Sequence, residues 1–404
     1  MGKGIFAGIK ILEFGQIVAG PLISTYMADY GAEVIHVESH TRPDQYRLYP
    51  PFKDNKPGIN RGFDFAVYSH NKYGITLNLR HPKGVEVAKR LVKDWANVVL
   101  ENFTPGVMKR QGLGYEELKK INPDIIMLST CNLGQTGPHA NHPGMGSHLT
   151  HFSGFTQLSG WPDRDPLILY GPYIDFIGVV YGAIALVSAL ELRRRTGKGQ
   201  LLDIAQLEGG IQFLVPTLLE YTVNGRIQGR KGNRCDHAAP HGAFPCLGED
   251  RWCVIAVFTD GEWEKLCQVM GDPAWTKDPR FTTLLARKKN EDELERLIGE
   301  WTSKRTAEEV MVTIQAVGVE ALVVKNTKEM YEDEHLNRYL WAEMVHPEIG
   351  KYHLQLPPYR LSEAPPELRM SSPLIGEHNE YVYRELAGFS QDEYEELQKD
   401  GVFE

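Results

Sequence analysis

The stretch GIKILEFGQIVAGPLISTYMADYGAEVIHVE, residues 8–38, decides the fold. Ile9–Phe14 reads as a strand, Gly20 and Pro21 break it, Leu22–Tyr30 continues as a helix, and Glu33–Glu38 supplies a second strand. This is a βαβ unit, for which a right-handed crossover and parallel pairing are expected. The pattern extends outward. Strands are predicted at Ile75–Leu79, Val98–Asn102 and Ile125–Thr130, and a helix at Pro82–Trp95, whose proline takes a favoured first-turn position. The N-terminal region is therefore predicted to be an open α/β sheet of Rossmann-like type. A nicotinamide cofactor is not the expected ligand: the first turn reads GQIVAGP rather than GxGxxG, and Glu38 only weakly echoes the ribose-binding acid.

A chain of 404 residues exceeds what one core usually organises, so two domains are expected. Its 42% apolar and 24% charged residues are those of an ordinary globular protein. A formal charge of −9 argues against broad attraction to nucleic acid or to an anionic membrane. Basic residues cluster only locally, at Lys109 and Arg110, Arg193–Arg195 and Arg230–Arg234, and one such cluster suffices for a phosphate-rich small molecule. The five cysteines are odd in number and form no CxxC pair, which fits a reducing cytosol better than a disulfide framework or a zinc site. Met1–Ile11 lacks the apolar run of a signal peptide. Phe176–Leu192 is apolar up to Glu191 but short for a bilayer span and runs straight into three arginines, so it reads as a buried core helix. A cytoplasmic protein without a membrane or nucleic-acid partner is expected.

Gly199–Gln206 closes the first region, and an apolar helix is predicted from Glu208 to about Tyr221. Val223–Pro245, rich in Gly, Arg, His and Pro, reads as a linker. Beyond it, strands at Ala243–Cys246, Trp252–Phe258 and Ala321–Lys325 and helices at Gly261–Met270, Asn290–Trp301 and Ala307–Ala316 predict a compact α+β domain. The Pro-rich stretch after Tyr352 precedes helical segments at Asn379–Leu386 and Gln391–Asp400.

Asp175, in GPYIDFIGVVYGAIALVSALELRRR, stands directly before the apolar helix. An acidic residue there is by default a cap or first-turn residue for free backbone N–H groups. The position also suits chemistry, because a carboxylate at the positive end of a helix is held ionised, and an ionised carboxylate can attack a thioester. Gly178 and Gly182, four residues apart on one helix face, are expected to admit the close approach of another backbone. Spacing alone leaves both readings of Asp175 open.

The chain resembles the family III CoA-transferases, the group of formyl-CoA transferase and the carnitine and bile-acid CoA-transferases. The resemblance rests on the opening stretch, on ENFTPGVMKRQGLGYEELKKINPDIIMLS at 101–129, GQTGP at 134–138, Asp175 with its helix, and RTGKGQLLDIAQLE at 195–208. GAFPC at 242–246 and GEHNEYVYRELAGFSQDEYEELQKDGV at 376–402 extend it over nearly the whole chain. The resemblance implies a Rossmann-like large domain, a small α+β domain, and two subunits interlocked as a dimer, either a homodimer or a heterodimer with a paralogous subunit. The large domain would comprise 1–215 and a returning segment 335–404, with linker and small domain at 216–334. Asp175 matches the family's aspartate, which forms an aspartyl–acyl anhydride and then an aspartyl-CoA thioester. No permanently bound cofactor or metal is implied; coenzyme A and acyl-CoA enter as substrates, with a carboxylic acid as acceptor.

Further site residues follow from the resemblance, position by position. Gln16, Ile17, Val18 and Ala19 match the turn lining the CoA cleft, where backbone N–H groups can meet a phosphate or an oxyanion. Asn71 and Lys72 match a pair that approaches the nucleotide, Asn102 and Phe103 the adenine-side loop, and Arg110 a basic residue near the phosphates. Arg42 is the candidate for a basic residue that the family often places nearer the strand end, where Ser39 stands here.

The chain departs from the family in PGMGSH, where Met145 and Gly146 replace an aromatic or polar residue followed by an acid. This implies a roomier, neutral pocket, as in members acting on aromatic or dicarboxylic acids such as the benzylsuccinate CoA-transferases, with succinyl-CoA a candidate donor. The α-methylacyl-CoA racemases share the fold but need a His where Met145 stands. An acyl-CoA racemase and one subunit of a heteromeric transferase are the competing readings. His148 and His151 are expected to be surface or structural residues, and His237 and His241, in RCDHAAPHGAFPC, to line the substrate pocket rather than bind a metal.

Overall fold

Strand β1 (Lys10–Glu13) sends its neighbours Ile11 and Leu12 into two different cores, and both residues are fully buried. This requires a sheet covered on both faces, as parallel sheets are. The structure, a computed structural model, describes residues 4–404. After β1 come β2 (Glu33–Glu38), β3 (Tyr73–Thr76), β4 (Val98–Glu101), β5 (Ile126–Cys131) and β6 (Leu201–Ala205), all paired in parallel in the order β3-β2-β1-β4-β5-β6. The predicted Rossmann-like sheet is present. Its order reverses between β1 and β4, and ligands of such sheets bind beyond the carboxyl ends of the strands at that reversal.

The chain divides into two compact units, one comprising residues up to Phe155, Leu169–Val223 and Arg338–Glu404, the other Thr156–Ile168 and Asn224–Asn337. In the first, helix Pro82–Asp94 covers one sheet face with Val87, Leu91 and Val92 against Leu12, Val37 and Val99. Helices Ala19–Asp29 and Tyr173–Thr196 cover the other, packing Ile23, Met27, Val179 and Leu186 on Ile11, Val98 and Leu128. Gly178 and Gly182 face side chains rather than a backbone: a Cβ on Gly178 would lie 2.8 Å from Gln206 Cγ, and one on Gly182 would overlap Ile23. The predicted helix from Glu208 is interrupted, running as Gln206–Ile211, a 3-10 turn, and Val215–Asn224. Pro216 explains the restart, since it lacks an N–H and is tolerated only in a first turn.

The other unit holds an antiparallel sheet, β7 (His241–Pro245), β8 (Trp252–Ala256) and β9 (Glu320–Val323), packed on helices Asp260–Val269, Glu291–Thr302 and Ala307–Gln315. Capping boxes at Thr259/Glu262 and Thr306/Glu309 fix two of the helix starts. The strand predicted at Ala243–Cys246 is present as β7, which starts two residues earlier and so overlaps the end of the stretch read as a linker. Back in the first unit, β10 (Trp341–His346) and β11 (Gly350–Gln355) form a hairpin that was not predicted. The chain then returns to the sheet edge, where Tyr383 Oη donates to the Thr76 carbonyl at 2.8 Å and Thr76 Oγ1 donates to the Phe403 carbonyl at 2.7 Å.

Candidate active site

At the reversal, the loops leaving β1 and β4 are clasped together. The Asn102 side chain accepts from the Gln16 amide at 2.8 Å and donates to the Gln16 carbonyl at 2.7 Å, as a neighbouring strand would. The next residue, Ile17, has φ of +63°, a left-handed conformation that a β-branched side chain resists. Its amide donates to both carboxylate oxygens of Asp44, at 3.0 and 3.2 Å. Val18 and Ala19 then open helix Ala19–Asp29, whose first amides have no intrahelical acceptor. On the β4 side, the buried Glu101 carboxyl accepts from the Phe103 amide at 2.8 Å and shapes that loop.

These loops wall a cleft of about 670 Å³. Ile17, Val18, Ala19, Asn102, Phe103 and Arg110 line it, as do Met145, Gly146 and Asp175. The sequence reading missed Tyr46, Tyr49 and Asp64, which rise from the chain after β2, and Asn132, His142 and Gln206. None belongs to a pattern that marks a ligand in one dimension.

Asp175 sits in the first turn of helix Tyr173–Thr196, is 9% exposed, and accepts no hydrogen bond on its carboxylate from the other described residues. Burial alone pushes its pKa up to about 7. The carboxylate is therefore close to half ionised at neutral pH, unneutralised by any partner and open to the cleft. Cys131 also lines the wall, and burial pushes its thiol up to about 11, so it stays protonated near neutrality.

Other expected site residues lie elsewhere. Lys72, expected beside the nucleotide, is fully buried, pairs with Glu13 at 3.0 Å and donates to the Pro21 carbonyl at 2.8 Å. Asn71 is likewise turned inward, donating to Asp29 and the Glu367 carbonyl and accepting from the Arg369 amide. Neither lines the cleft. Gln16 contributes its backbone to the Asn102 clasp while its side chain donates to the Arg42 carbonyl at 3.3 Å. Arg42 itself is exposed outside the cleft lining. His148 Nδ1 accepts from the Met145 amide at 3.2 Å, the structural role expected of it, and His151 is an exposed helix residue. In the other unit, His241 Nδ1 bonds to the Asn233 carbonyl at 2.6 Å, and the His237 ring lies 5.9 Å from that of Phe258. No group of three or more His, Cys, Asp or Glu that could hold a metal occurs among the described residues.

A buried charge network underlies the cleft. Glu13 bonds to Lys72 and, at 2.8 Å, to His36 Nδ1, and its pKa is lowered because these partners outweigh the burial that opposes them. His36 Nε2 stands 3.9 Å from Asp44 Oδ2.

Comparison with known proteins gives a consistent result. CoA-transferase family III matches residues 6–379. The succinyl-CoA–D-citramalate CoA-transferase of Chloroflexus aurantiacus is 35% identical over 96% of this chain and 96% of its own. The beta subunit of the succinyl-CoA–L-malate CoA-transferase of the same organism is 28% identical over 98% of this chain and 97% of its own. Among solved structures, a CaiB/BaiF family protein from Brucella suis superposes with a TM-score of 0.86 at 30% identity, covering 95% of this chain and all of that one.

Proposed function

The chain belongs to CoA-transferase family III and is an acyl-CoA:carboxylate CoA-transferase, and from that premise we propose that Asp175 carries the acyl group and then CoA between a succinyl-CoA donor and a dicarboxylic acid acceptor. The observation that carries this reading is the Asp175 carboxylate itself, buried in the cleft wall with no hydrogen-bond partner among the described residues. A carboxylate stripped of water and of counter-charges is a better nucleophile than a solvated one.

The carboxylate adds to the thioester carbonyl, the C–S bond breaks, and CoA leaves as thiolate, giving a mixed anhydride. The thiolate attacks the aspartyl carbon of that anhydride, releasing the donor acid and leaving an aspartyl-CoA thioester. The acceptor carboxylate attacks this thioester and regenerates an anhydride and the thiolate. Attack of the thiolate on the acceptor's acyl carbon gives the new acyl-CoA and frees Asp175. Arg110 meets the CoA phosphates, the Val18 and Ala19 amides at the helix start meet developing negative charge, and Phe103 packs on the adenine side. The names of the similar transferases, which pair succinyl-CoA with D-citramalate and with L-malate, support the choice of donor and acceptor.

We also propose a cytoplasmic, interlocked dimer, built from two copies or with a paralogous chain. Phe176, Val180, Ile184 and Val187 form an exposed apolar stripe along helix Tyr173–Thr196, and Phe213, Leu218, Leu219 and Tyr221 expose more apolar surface on the segments that follow. Helix Tyr173–Thr196 is long and apolar enough to cross a membrane by length and composition, with 39% of its apolar window buried. A partner subunit covering the rest is the reading that fits its buried face and the charged residues at its C-terminus.

The test is a screen of acyl-CoA donors against carboxylic acids by mass spectrometry, with hydroxylamine or borohydride trapping on the Asp175 peptide. Asp175→Ala and Asp175→Asn are expected to abolish CoA exchange while CoA still binds. Full turnover by either variant, or no adduct on that peptide during turnover, overturns the assignment.

A further inference from the structure

The turn that opens the cleft is held by a residue with no atom in the cleft wall. Ile17 occupies the left-handed region at φ +63°, where a β-branched residue is under strain unless its surroundings fix it. Two groups do so. Asn102 clasps the preceding residue, Gln16, through two hydrogen bonds. Asp44, 1% exposed, takes the Ile17 amide on both oxygens and the Tyr46 amide at 2.8 Å on Oδ1. Ile17 and Tyr46 both line the cleft, so a single buried carboxylate sets two segments of its wall.

The Asp44 carboxylate is itself tied to the interior. Its own amide donates to Glu38 Oε2 at 3.1 Å, and its Oδ2 faces His36 Nε2 across 3.9 Å. That His36 nitrogen is buried and has no hydrogen-bond partner among the described residues, with Asp44 the carboxylate that faces it. His36 is held in turn by Glu13, and Glu13 by Lys72. A line of buried polar groups therefore runs from Lys72 through Glu13 and His36 to Asp44 and stops at the Ile17 amide.

We propose that Asp44 is a positioning residue of the transfer reaction, holding the Gln16–Val18 turn in a conformation Ile17 would not keep alone, and so placing the start of helix Ala19–Asp29 against the reacting carbonyl. This rests on the assignment of the chemistry to Asp175. Asp44 touches no reacting atom; it acts through the Ile17 amide, and the buried chain behind it keeps its carboxylate aimed.

The test combines steady-state exchange with hydrogen–deuterium exchange of the peptide spanning Gln16–Val18. Asp44→Ala removes both acceptors, and kcat is expected to fall by about 10- to 100-fold, the cost of misplacing a catalytic turn by an ångström or so. CoA affinity, measured by titration, stays within about 3-fold, because most of the ligand's contacts remain. Deuterium enters the turn faster in this variant. Asp44→Asn keeps an oxygen for both amides and is expected to restore kcat to within about 3-fold of the parent, with the turn protected again. Should Asp44→Ala fail to fold, Asp44→Ser, too short to reach the Ile17 amide, takes its place. The inference is overturned if the alanine or serine variant turns over like the parent, if its turn stays protected, or if Asp44→Asn is as slow as Asp44→Ala. A parent enzyme that exchanges CoA without an adduct on Asp175 sinks the assignment beneath it instead, so the two failures are told apart.

Discussion

Gly146 lies so close to Asp175 that a β-carbon placed on it would stand 2.5 Å from the aspartate Cγ and overlap one carboxylate oxygen. The same β-carbon would stand 2.5 Å from Pro172 Cβ, so neither side of the gap yields easily. Gly146→Ala is therefore expected to displace the carboxylate, lowering turnover by about 100-fold or more while costing roughly 1–3 kcal/mol of stability from overpacking. An alanine variant with parental kcat in the exchange assay would show that the carboxylate tolerates displacement.

Burial of Asp175 has opposite effects on rate and stability. The reaction needs the ionised form, so kcat/KM is expected to rise with pH and level off above about 7. For stability, the native carboxyl keeps its proton to a higher pH than the unfolded chain, whose carboxyl ionises near 4. Between these values the unfolded state binds fewer protons, so this residue's contribution falls as pH rises and is fully lost above about 7. Asp175→Asn removes that loss. Urea denaturation is expected to find the variant more stable than the parent by on the order of 2 kcal/mol at about pH 8 and equal to it near pH 4. Equal stability at both pH values would refute the burial argument.

Lys72 is predicted to matter for folding. Lys72→Met leaves Glu13 buried without its cation and is expected to cost about 3–5 kcal/mol in denaturant unfolding. The contrary result, unchanged stability with weakened CoA binding, would return Lys72 to the nucleotide.

The apolar stripe on helix Tyr173–Thr196 gives a further test. Val180→Glu together with Ile184→Glu, at positions 55% and 58% exposed, introduces charge where a partner would sit. Light scattering is expected to show a dimer for the parent and a shift to monomer for the double variant. A monomeric parent at micromolar concentration would remove the proposed assembly.

Much of this architecture can be read from local pattern. The βαβ opening and the apolar helix that starts around Asp175 depend on residues adjacent in sequence, and both are present, the helix beginning at Tyr173 so that Asp175 lies in its first turn. The clasp of Gln16 by Asn102 joins residues 86 apart, and the inward turn of Asn71 and Lys72 depends on the burial of their surroundings, which one-dimensional spacing does not encode. Two signals were legible but unused. Glu13 and His36 are titratable residues set among the apolar residues of two parallel strands, which marks a buried polar network, and Pro347 to Gly350 is a turn signature at the bend of the unpredicted hairpin.

The return of the chain to the first sheet bears on how the protein is made. Tyr383, Phe389, Val402 and Phe403 fill the same core as Leu12 and Val37, on a sheet whose strands are complete by Ala205. On the ribosome, that face of the sheet, covered in part by helix Pro82–Asp94, stays incomplete while residues 224–337 are synthesised, and its core is filled only once residue 403 has emerged. Nascent chains are then exposed to aggregation and to chaperone capture through the second half of translation, and a stop codon that removes even the last helix leaves an unfinished core rather than a shortened enzyme.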